Sequence, residues 1–451
     1  MSKDVATPNT AYMAMARDWE LIHGLLGGTR AMRAAGERWL PREPRESLEA
    51  YRVRLGRSVL FNGLARAIQT LVGKPFVKPS TLSDDADPAV RALTRDVDLA
   101  GRNLTVFARD VLRAALTDGV THILVDHPVA RDGETLADER ARGARPYLVH
   151  VPAGDLIGWR TENQDGRPRL SRVRIREHLV ERDGEWGERA VERIRVLEPG
   201  RFSIWNRVQG EKGESWQLAG EGASSASEIP IVTIYAHRTG FMTGKPPLMD
   251  LAWLNLAHWQ SSSDQRHILH VARVPLLFAR NLRIEGGEIE IGPNRMIIGE
   301  GDGADLKFVE HSGAAIEAGR QDLLDLEDRM AVMGLDLLAR RPGSSTATAR
   351  AIDAAQADSA LAAIVRGLEE GLTAALVQAA RWMGLPGEAA GQVSVHQEFA
   401  QGQREADEVD LLLRARIAGE ISRETFLAEI RRRGVLSQES IVADQGDAQT
   451  V

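Results

Sequence analysis

The fold is decided by two long helical arms, the first of which reads PPLMDLAWLNLAHWQSSSDQRHILHVARVP (residues 246–275). Pro246 and Pro247 suit the first turn of a helix, where a missing N–H costs nothing. Side chains of like character then recur at three- and four-residue steps, which is the helical period. At about 1.5 Å per residue this arm spans roughly 35 Å. It ends at Pro275, because the residue before a proline is held out of the helical conformation.

The second arm is predicted over residues 314–338, after a small glycine-rich unit. That unit contains three short β-like runs, at residues 276–279, 288–291 and 295–298, separated by glycine turns. The loop RRPGSST (340–346) follows, and a helix over 347–383 begins at the capping hydroxyl of Ser345 or Thr346. Arms of this length with polar outer faces are predicted to project and to pack against partners or copies of the chain.

The remainder of the chain predicts a helical part, a β-rich part and a helical end, an α+β protein overall. Helices are expected over residues 12–26 and 44–72, the latter ended by Gly73 and Pro75. A helix over 104–118 leads into an antiparallel module of about seven strands, in which Val173-Arg174-Ile175-Arg176 alternates as on a sheet with one wet face. Helices are expected over 398–418 and 422–433, and a disordered polar tail from 437.

Composition limits the classes of function. The chain has 451 residues with a formal net charge of −7, which argues against a nucleic-acid coat whose affinity comes from a basic surface. It contains no cysteine, so disulfides and thiolate metal sites are excluded. The start lacks an apolar signal core, and no apolar run reaches the roughly 20 residues that cross a bilayer. These features predict an intracellular, soluble protein without membrane contact.

Motifs for catalysis or metal binding are weak. The segment at 24–29 lacks the ending of a phosphate loop, and 343–346 lacks the second glycine of a nucleophile elbow. Polar groups on the first arm could be weighed as a metal cluster, but interhelical histidines are the simpler interpretation; they are His258, Asp264, His267 and His270. The acidic run at 299–305 misses the calcium-loop spacing. We therefore predict no enzyme activity, no metal and no cofactor.

Charged groups near the arm ends could serve partners. Arg340 and Arg341 could contact a phosphate backbone or could stabilise a helix C-terminus, and the sequence leaves both open. The tip between the arms is negative and could dock a basic partner. Its acidic residues are Glu285, Glu288, Glu290, Glu300, Asp302 and Asp305.

The order of elements resembles the portal (connector) proteins of tailed bacteriophages. The likeness rests on that order, from about residue 12 to 436, and on three pieces of text. These are VGKPF (72–76), LNLAHWQSSSDQ (254–265) and AGEISRET (418–425). The resemblance implies a portal fold with a wing, a two-helix stem, a small β clip and a long-helix crown.

The resemblance also implies domain limits and site residues. It divides the chain into a helical part of the wing (1–103), a β-rich wing (104–245), stem arms and clip (246–339, with the clip near 273–312), a tunnel loop (340–346), a long helix and crown (347–436) and a tail (437–451). It assigns DNA-facing tunnel-loop positions to Arg340, Arg341, Ser344, Ser345 and Thr346. It assigns docking of terminase at the clip to Glu285, Glu288, Glu290, Asn294 and Arg295.

The function implied is a dodecameric ring at the unique capsid vertex of a virion assembled in the host cytoplasm. Double-stranded DNA would pass through the ring during packaging and ejection. The partners implied are further copies of the chain, the large terminase subunit, head-tail adaptor or neck proteins, and the major capsid and scaffolding proteins. Two alternatives stay open: an enzyme with a scattered active site, and a different head-tail connector ring.

Overall fold

Helices and antiparallel strands occupy separate blocks of the chain, the α+β arrangement that the sequence predicts. The computed structural model describes residues 4–128, 135–210, 213–224, 226–273, 276–280, 305–309, 314–336, 347–397 and 399. The helices are α1 (Thr10–Leu26), α2 (Gly28–Ala35), α3 (Leu48–Arg57), α4 (Gly63–Gly73), α5 (Pro88–Leu93), α6 (Leu104–Asp118), α7 (Leu136–Ala141), α8 (Met249–Ala272), α9 (Ala314–Asp336) and α10 (Ala347–Trp382). In the described residues, no helix has the length and apolar content to cross a membrane.

In the part of the chain that the structure describes, the strands fall into two larger sheets and three two-stranded pairs. They are β1 (Thr81–Leu82), β2 (Val120–Asp126), β3 (Tyr147–Pro152), β4 (Leu156–Gln164), β5 (Arg167–Asp183), β6 (Gly187–Glu198), β7 (Arg201–Gly210), β8 (Gly213–Ala223), β9 (Ile231–Tyr235), β10 (Arg238–Gly240), β11 (Thr243–Gly244), β12 (Leu276–Arg280), β13 (Asp305–Val309) and β14 (Val393–Ser394). The pairs are β1–β14, β10–β11 and β12–β13.

The main hydrophobic core draws residues from distant parts of the chain. Helices α1, α4, α6, α8 and α10 and strand β2 all contribute to it, with fully buried side chains such as Phe107, Trp259 and Leu372. Strand β2 is buried along nearly its whole length because sheet neighbours and helices cover both of its faces. The helical beginning of the chain and the long helix α10 therefore share one core.

The β-rich part forms two sheets, where the sequence predicts one module. A three-stranded sheet has the order β3-β2-β9, and a five-stranded meander has the order β4-β5-β6-β7-β8. Arg195 joins them, since its guanidinium lies 2.6 Å from Asp126 Oδ2 and 2.8 Å from Glu177 Oε1. The antiparallel strands of this module are confirmed; their division between two sheets was not predicted, because strand alternation reports which face is buried and not which strand is the neighbour.

The single helix predicted over residues 44–72 is wrong, since the structure has two helices there, α3 and α4. Ser58 at the end of α3 adopts an extended conformation, and Asn62 begins α4 by accepting a hydrogen bond from the Ala65 N–H at 3.0 Å. The same Asn62 side chain donates to the Leu25 carbonyl at 2.7 Å. An asparagine that satisfies a free helix N–H favours a new start over a continued helix.

The two arms are confirmed as α8 and α9, and the long third helix as α10. Strand β12 confirms the first β-like run after α8, and its partner is β13, in register from Leu276↔Val309 to Arg280↔Asp305. Strand β13 was not predicted, although its Asp305-Leu306-Lys307-Phe308-Val309 alternates in the strand period. The runs at 288–291 and 295–298, the helices after 397 and the tail lie outside the described residues.

Candidate functional site: the helical hairpin and its base

The hairpin of α8 and α9 has an apolar half and a polar half. We call residues 249–263 of α8 with 326–336 of α9 the base, and residues 264–272 with 314–325 the tip half. In the base, Leu251, Ala252 and Trp259 are buried on α8, and Leu326 and Met330 are buried on α9. The base therefore anchors the hairpin to the body of the same chain by burial of apolar surface.

This anchorage corrects part of the expectation from the sequence. The arms do not leave all of their apolar surface for neighbours, because the base packs against α1, α3 and α4. The close fit is visible at Gly63, where an added Cβ would lie 3.2 Å from Met330 Sδ. Only the tip half extends away with mostly exposed side chains.

Asn255 links the base to the start of α4 by two hydrogen bonds to backbone groups. Its Oδ1 accepts from the Leu64 N–H at 3.0 Å, and its Nδ2 donates to the Phe61 carbonyl at 2.7 Å. The Leu64 N–H lies in the first turn of α4, where a helix has no internal acceptor. A polar residue on the buried face of α8 thus satisfies the start of another helix.

A buried ion pair supports the same region from α3. Arg54 Nε donates to Glu46 Oε1 and Nη2 donates to Oε2, each at 2.8 Å, and both side chains are almost fully buried. The hydrogen bonds from Arg54 lower the pKa of Glu46, and the same bonds raise the pKa of Arg54. Arg54 also reaches α8, with Nη1 at 3.4 Å from Ser263 Oγ. A bidentate arginine–carboxylate pair fixes the relative orientation of its two side chains better than a single hydrogen bond does.

The two arms meet through polar contacts. His258 Nε2 lies 3.2 Å from Glu327 Oε1, Ser261 Oγ donates to Asp322 Oδ2 at 2.7 Å, and Gln265 Nε2 donates to the Ile316 carbonyl at 2.7 Å. Nδ1 of His258 is buried without a hydrogen-bond partner in the described residues. The arms are thus held at a fixed spacing by a row of side-chain bonds in addition to apolar packing.

The outer surface of the second arm is acidic. Helix α9 carries six aspartate and glutamate side chains against two arginines. Most of them are exposed, and Arg320 pairs with Glu317 within the helix. A surface of this sign repels a polyanion, whereas a nucleic-acid binding surface needs an excess of cations.

The site residues assigned from the family likeness cannot be placed. Arg340, Arg341, Ser344, Ser345 and Thr346 lie outside the described residues. So do Glu285, Glu288, Glu290, Asn294 and Arg295. Their roles stay predictions.

The weighed metal cluster has no counterpart in the part of the chain that the structure describes. No group of three or more histidine, aspartate or glutamate side chains converges there. His258 faces the second arm, as the interhelical interpretation holds, and its ring also packs against Phe61 with centroids 5.2 Å apart. His267 and His270 are exposed on the tip half.

Sequence reasoning missed Arg54, Glu46 and the role of Asn255. One signal was available: Arg54 lies between Tyr51 and Leu55, on the apolar side of the predicted helix, where an arginine needs a carboxylate. The carboxylate eight residues earlier could not be identified because several other acids lie nearby in the sequence.

Comparisons with known proteins add two similarities. The model of one family, described as a domain of unknown function (DUF4055), matches residues 247–383, which is less than a third of the chain. Residues 247–383 include both arms and α10. No curated protein matches the chain.

Two solved structures align over most of the chain. One is titled "Neck of native GTA particle computed with C12 symmetry", with 15% identity, a TM-score of 0.40 and coverage of 88% of this chain and 98% of that chain. The other is titled "Neck of empty GTA particle computed with C6 symmetry", with 15% identity, a TM-score of 0.42 and coverage of 88% and 96%. At this identity and these TM-scores, the likeness does not by itself assign a function.

Proposed function

We propose that this protein is a portal-type connector, in which copies of the chain form a ring around a channel for double-stranded DNA. The observation that carries the proposal is the hairpin: two arms of 24 and 23 residues, joined to the body at one end and reaching a small β pair at the other. A structural role without an active site is part of the proposal.

The polar tip half supports this role. In a chain that acted alone, a projecting helical pair would expose much backbone and side-chain surface for little gain in stability. In a ring, the same exposed faces would contact neighbouring copies or border the channel. The tip half would then be completed by the neighbouring copies.

The charge of the second arm also supports a conduit. DNA must move through such a channel, so strong contacts to its phosphates would act as a brake. The acidic excess on α9 fits a wall that DNA passes without binding. The finer parts of the proposal are the tunnel loop at 340–346, the docking of terminase and neck proteins at the clip, and a portal vertex as the location.

The test is direct imaging and mass measurement of the purified full chain. We expect electron micrographs of rings with a central hole, and a native mass near twelve times the 49.4 kDa of one chain. A species that stays monomeric at all concentrations and in the presence of neck or capsid partners would overturn the proposal.

A further inference from the structure

A cavity of about 1030 Å³ lies on one face of the five-stranded sheet, beneath the beginning of the chain. Residues 4–10 form one side of it, and strands from β4 to β8 form the floor. Four arginines line it, Arg160, Arg172, Arg174 and Arg201, together with Trp205, which the strand register places on the same face of the sheet. Cavities of this size accept a bulky side chain and a short piece of backbone.

The arginines of this cavity are only partly neutralised. Glu198 Oε1 lies 2.6 Å from Arg172 Nη2, and Glu198 Oε2 lies 2.5 Å from Arg201 Nε. Arg160 and Arg174 form no ion pair with any described residue. Burial lowers the pKa of Arg174, and the neighbouring charges of Arg160 and Arg172 lower it further. The cavity thus holds cationic groups close together without enough carboxylates.

Arg174 is held in place by backbone. Its Nη1 donates to the Val5 carbonyl at 2.8 Å, so the beginning of the chain fixes one side of the guanidinium. A Cβ at Gly158 would overlap the guanidinium, so the glycine leaves the space in which Arg174 lies against β4. A positioned, half-buried cation of this kind is suited to a carboxylate, with which it can form charge-assisted hydrogen bonds.

The charge count indicates what kind of anion would fit. Four arginines line the cavity together with Asp4, Glu198 and Glu221. An excess of one positive charge suits one or two carboxylates better than a nucleic-acid backbone, which requires a row of unpaired cations. Trp205 adds a surface on which another aromatic ring can stack.

The turn between β5 and β6 has the complementary chemistry. It reads Asp183-Gly184-Glu185-Trp186-Gly187, and Trp186 is 90% exposed. Neither Asp183 nor Glu185 pairs with a cation in the described part of the chain. A tryptophan this exposed at the end of a hairpin is unusual unless a partner covers it, because tryptophan is among the residues most enriched where partners bind tightly.

The β-hairpin of β5 and β6 also projects beyond its sheet. The pairing of β6 with β7 ends at Arg193↔Asn206, whereas the pairing of β5 with β6 continues to Asp183↔Gly187. Among the described residues, no third strand pairs with the outer part, which is therefore a two-stranded ribbon. Its own tip cannot fill its own cavity, because Arg174 and Asp183 lie nine residues apart on the same extended strand, about 30 Å.

We propose that the tip of this hairpin inserts into the arginine cavity of a neighbouring copy, with Trp186 against Trp205 and Asp183 or Glu185 against Arg174 and Arg160. Such a contact joins two different surfaces of identical chains, which generates a ring when the rotation closes. The proposal rests on the ring assembly proposed above. The cavity is completed only by the partner copy.

Chemical cross-linking can test the contact because the chain contains no cysteine. Two differently tagged chains are co-expressed, one with Glu188→Cys beside the tip and the other with Ser203→Cys in the cavity. A short bifunctional maleimide should join the two cysteines and give a covalent product that carries both tags. The matched control replaces Ser203→Cys by Val77→Cys, an exposed position (69%) outside the hairpin and the cavity, and should give no linked product.

The side chains that carry the contact are tested in the same background. Trp186→Ala on the first chain, or Arg174→Gln on the second, should lower the yield of linked product at least about tenfold, the loss expected for a tight anchor. Trp186→Ala is the safer variant because its side chain is almost wholly exposed and so contributes little to folding. Equal denaturation midpoints would show that both variants fold.

The outcomes separate this proposal from the ring itself. Rings in micrographs without cross-linking between Glu188→Cys and Ser203→Cys would overturn the tip-to-cavity contact and leave the ring proposal intact. A linked product whose yield is unchanged by Trp186→Ala would also overturn it. Absence of both rings and linked product would overturn the ring proposal and this contact together.

Discussion

The two halves of helix α8 differ in what surrounds them. The base half buries Trp259 and Leu251 in the main core and uses Asn255 to hold the start of α4. The tip half exposes Arg266, His267 and His270 and meets its own chain mainly through the other arm. One continuous helix is therefore an anchor at one end and an open surface at the other, so changes at the anchored end should cost more stability than changes at the open end.

The largest effect is expected from removing the anchor. Trp259→Ala empties a site in which the side chain has no exposed surface. Lost apolar burial and the cavity left behind should lower the free energy of unfolding by about 4 kcal/mol. Chemical denaturation of the dissociated chain measures this loss.

Trp253 on the same helix is the matched control. Its side chain is 53% exposed, so Trp253→Ala should change the stability of the dissociated chain by no more than about 0.5 kcal/mol. Equal losses at the two tryptophans would mean that α8 does not lie on the body as described.

The second effect concerns the buried ion pair under the base. Arg54→Met would leave Glu46 buried without the two hydrogen bonds from Arg54, with the Glu43 N–H still donating to it at 3.2 Å, and we expect a loss of about 3 kcal/mol. Adding Glu46→Gln should recover much of the lost stability, because the unpaired charge disappears. If the double variant were less stable than Arg54→Met alone, Glu46 would have another partner that matters more than Arg54.

Acid titration examines the same pair without changing Arg54. Because Arg54 lowers the pKa of Glu46 below its ordinary 4.5, the unfolded chain takes up this proton at higher pH than the folded chain does. The stabilisation is therefore complete above about pH 4.5 and is lost as the pH falls through the lower pKa of the folded state. Wild type should lose stability more steeply than Glu46→Gln below pH 4.5, and parallel curves would contradict the assignment.

A part of the fold could be predicted when its sequence signal is local, and not when it depends on contacts between residues far apart in the chain. Both arms, the long helix α10 and the individual strands of the β-rich part were recognised because periodicity is a local property. The break at Asn62 was missed because apolar spacing continues across it. The division into two sheets and the burial of the base depend on contacts between distant residues, which no period in one sequence contains.

The site was predictable in outline and not in its contacts. The interhelical interpretation of His258 agrees with its contact to Glu327 on the second arm, whereas the bonds of Ser261 and Gln265 to that arm were not predicted. The alternation around Arg174 was interpreted only as a wet face. The cavity that contains this arginine exists because the beginning of the chain lies over the sheet, a contact between residues far apart in the sequence that no local pattern predicts.

The smallest effect tests the spacing of the two arms at Gly319. A Cβ there would overlap the amide of Gln265, which donates to the Ile316 carbonyl at 2.7 Å. Alanine has the better helix propensity by about 1 kcal/mol, but Gly319→Ala would displace Gln265 and cost a buried hydrogen bond of similar worth. We therefore expect Gly319→Ala to be no more stable than wild type in chemical denaturation.

The double variant Gln265→Ala/Gly319→Ala removes the group that an added methyl would strike. It should keep the propensity gain without the clash, and so be more stable than Gln265→Ala alone by about 0.5–1 kcal/mol. A single Gly319→Ala variant that gained the full 1 kcal/mol would mean that the arms lie further apart than the Gln265 contact requires. The tip half would then be held by apolar packing at the base alone, and the row of polar bonds between the arms would contribute little to their spacing.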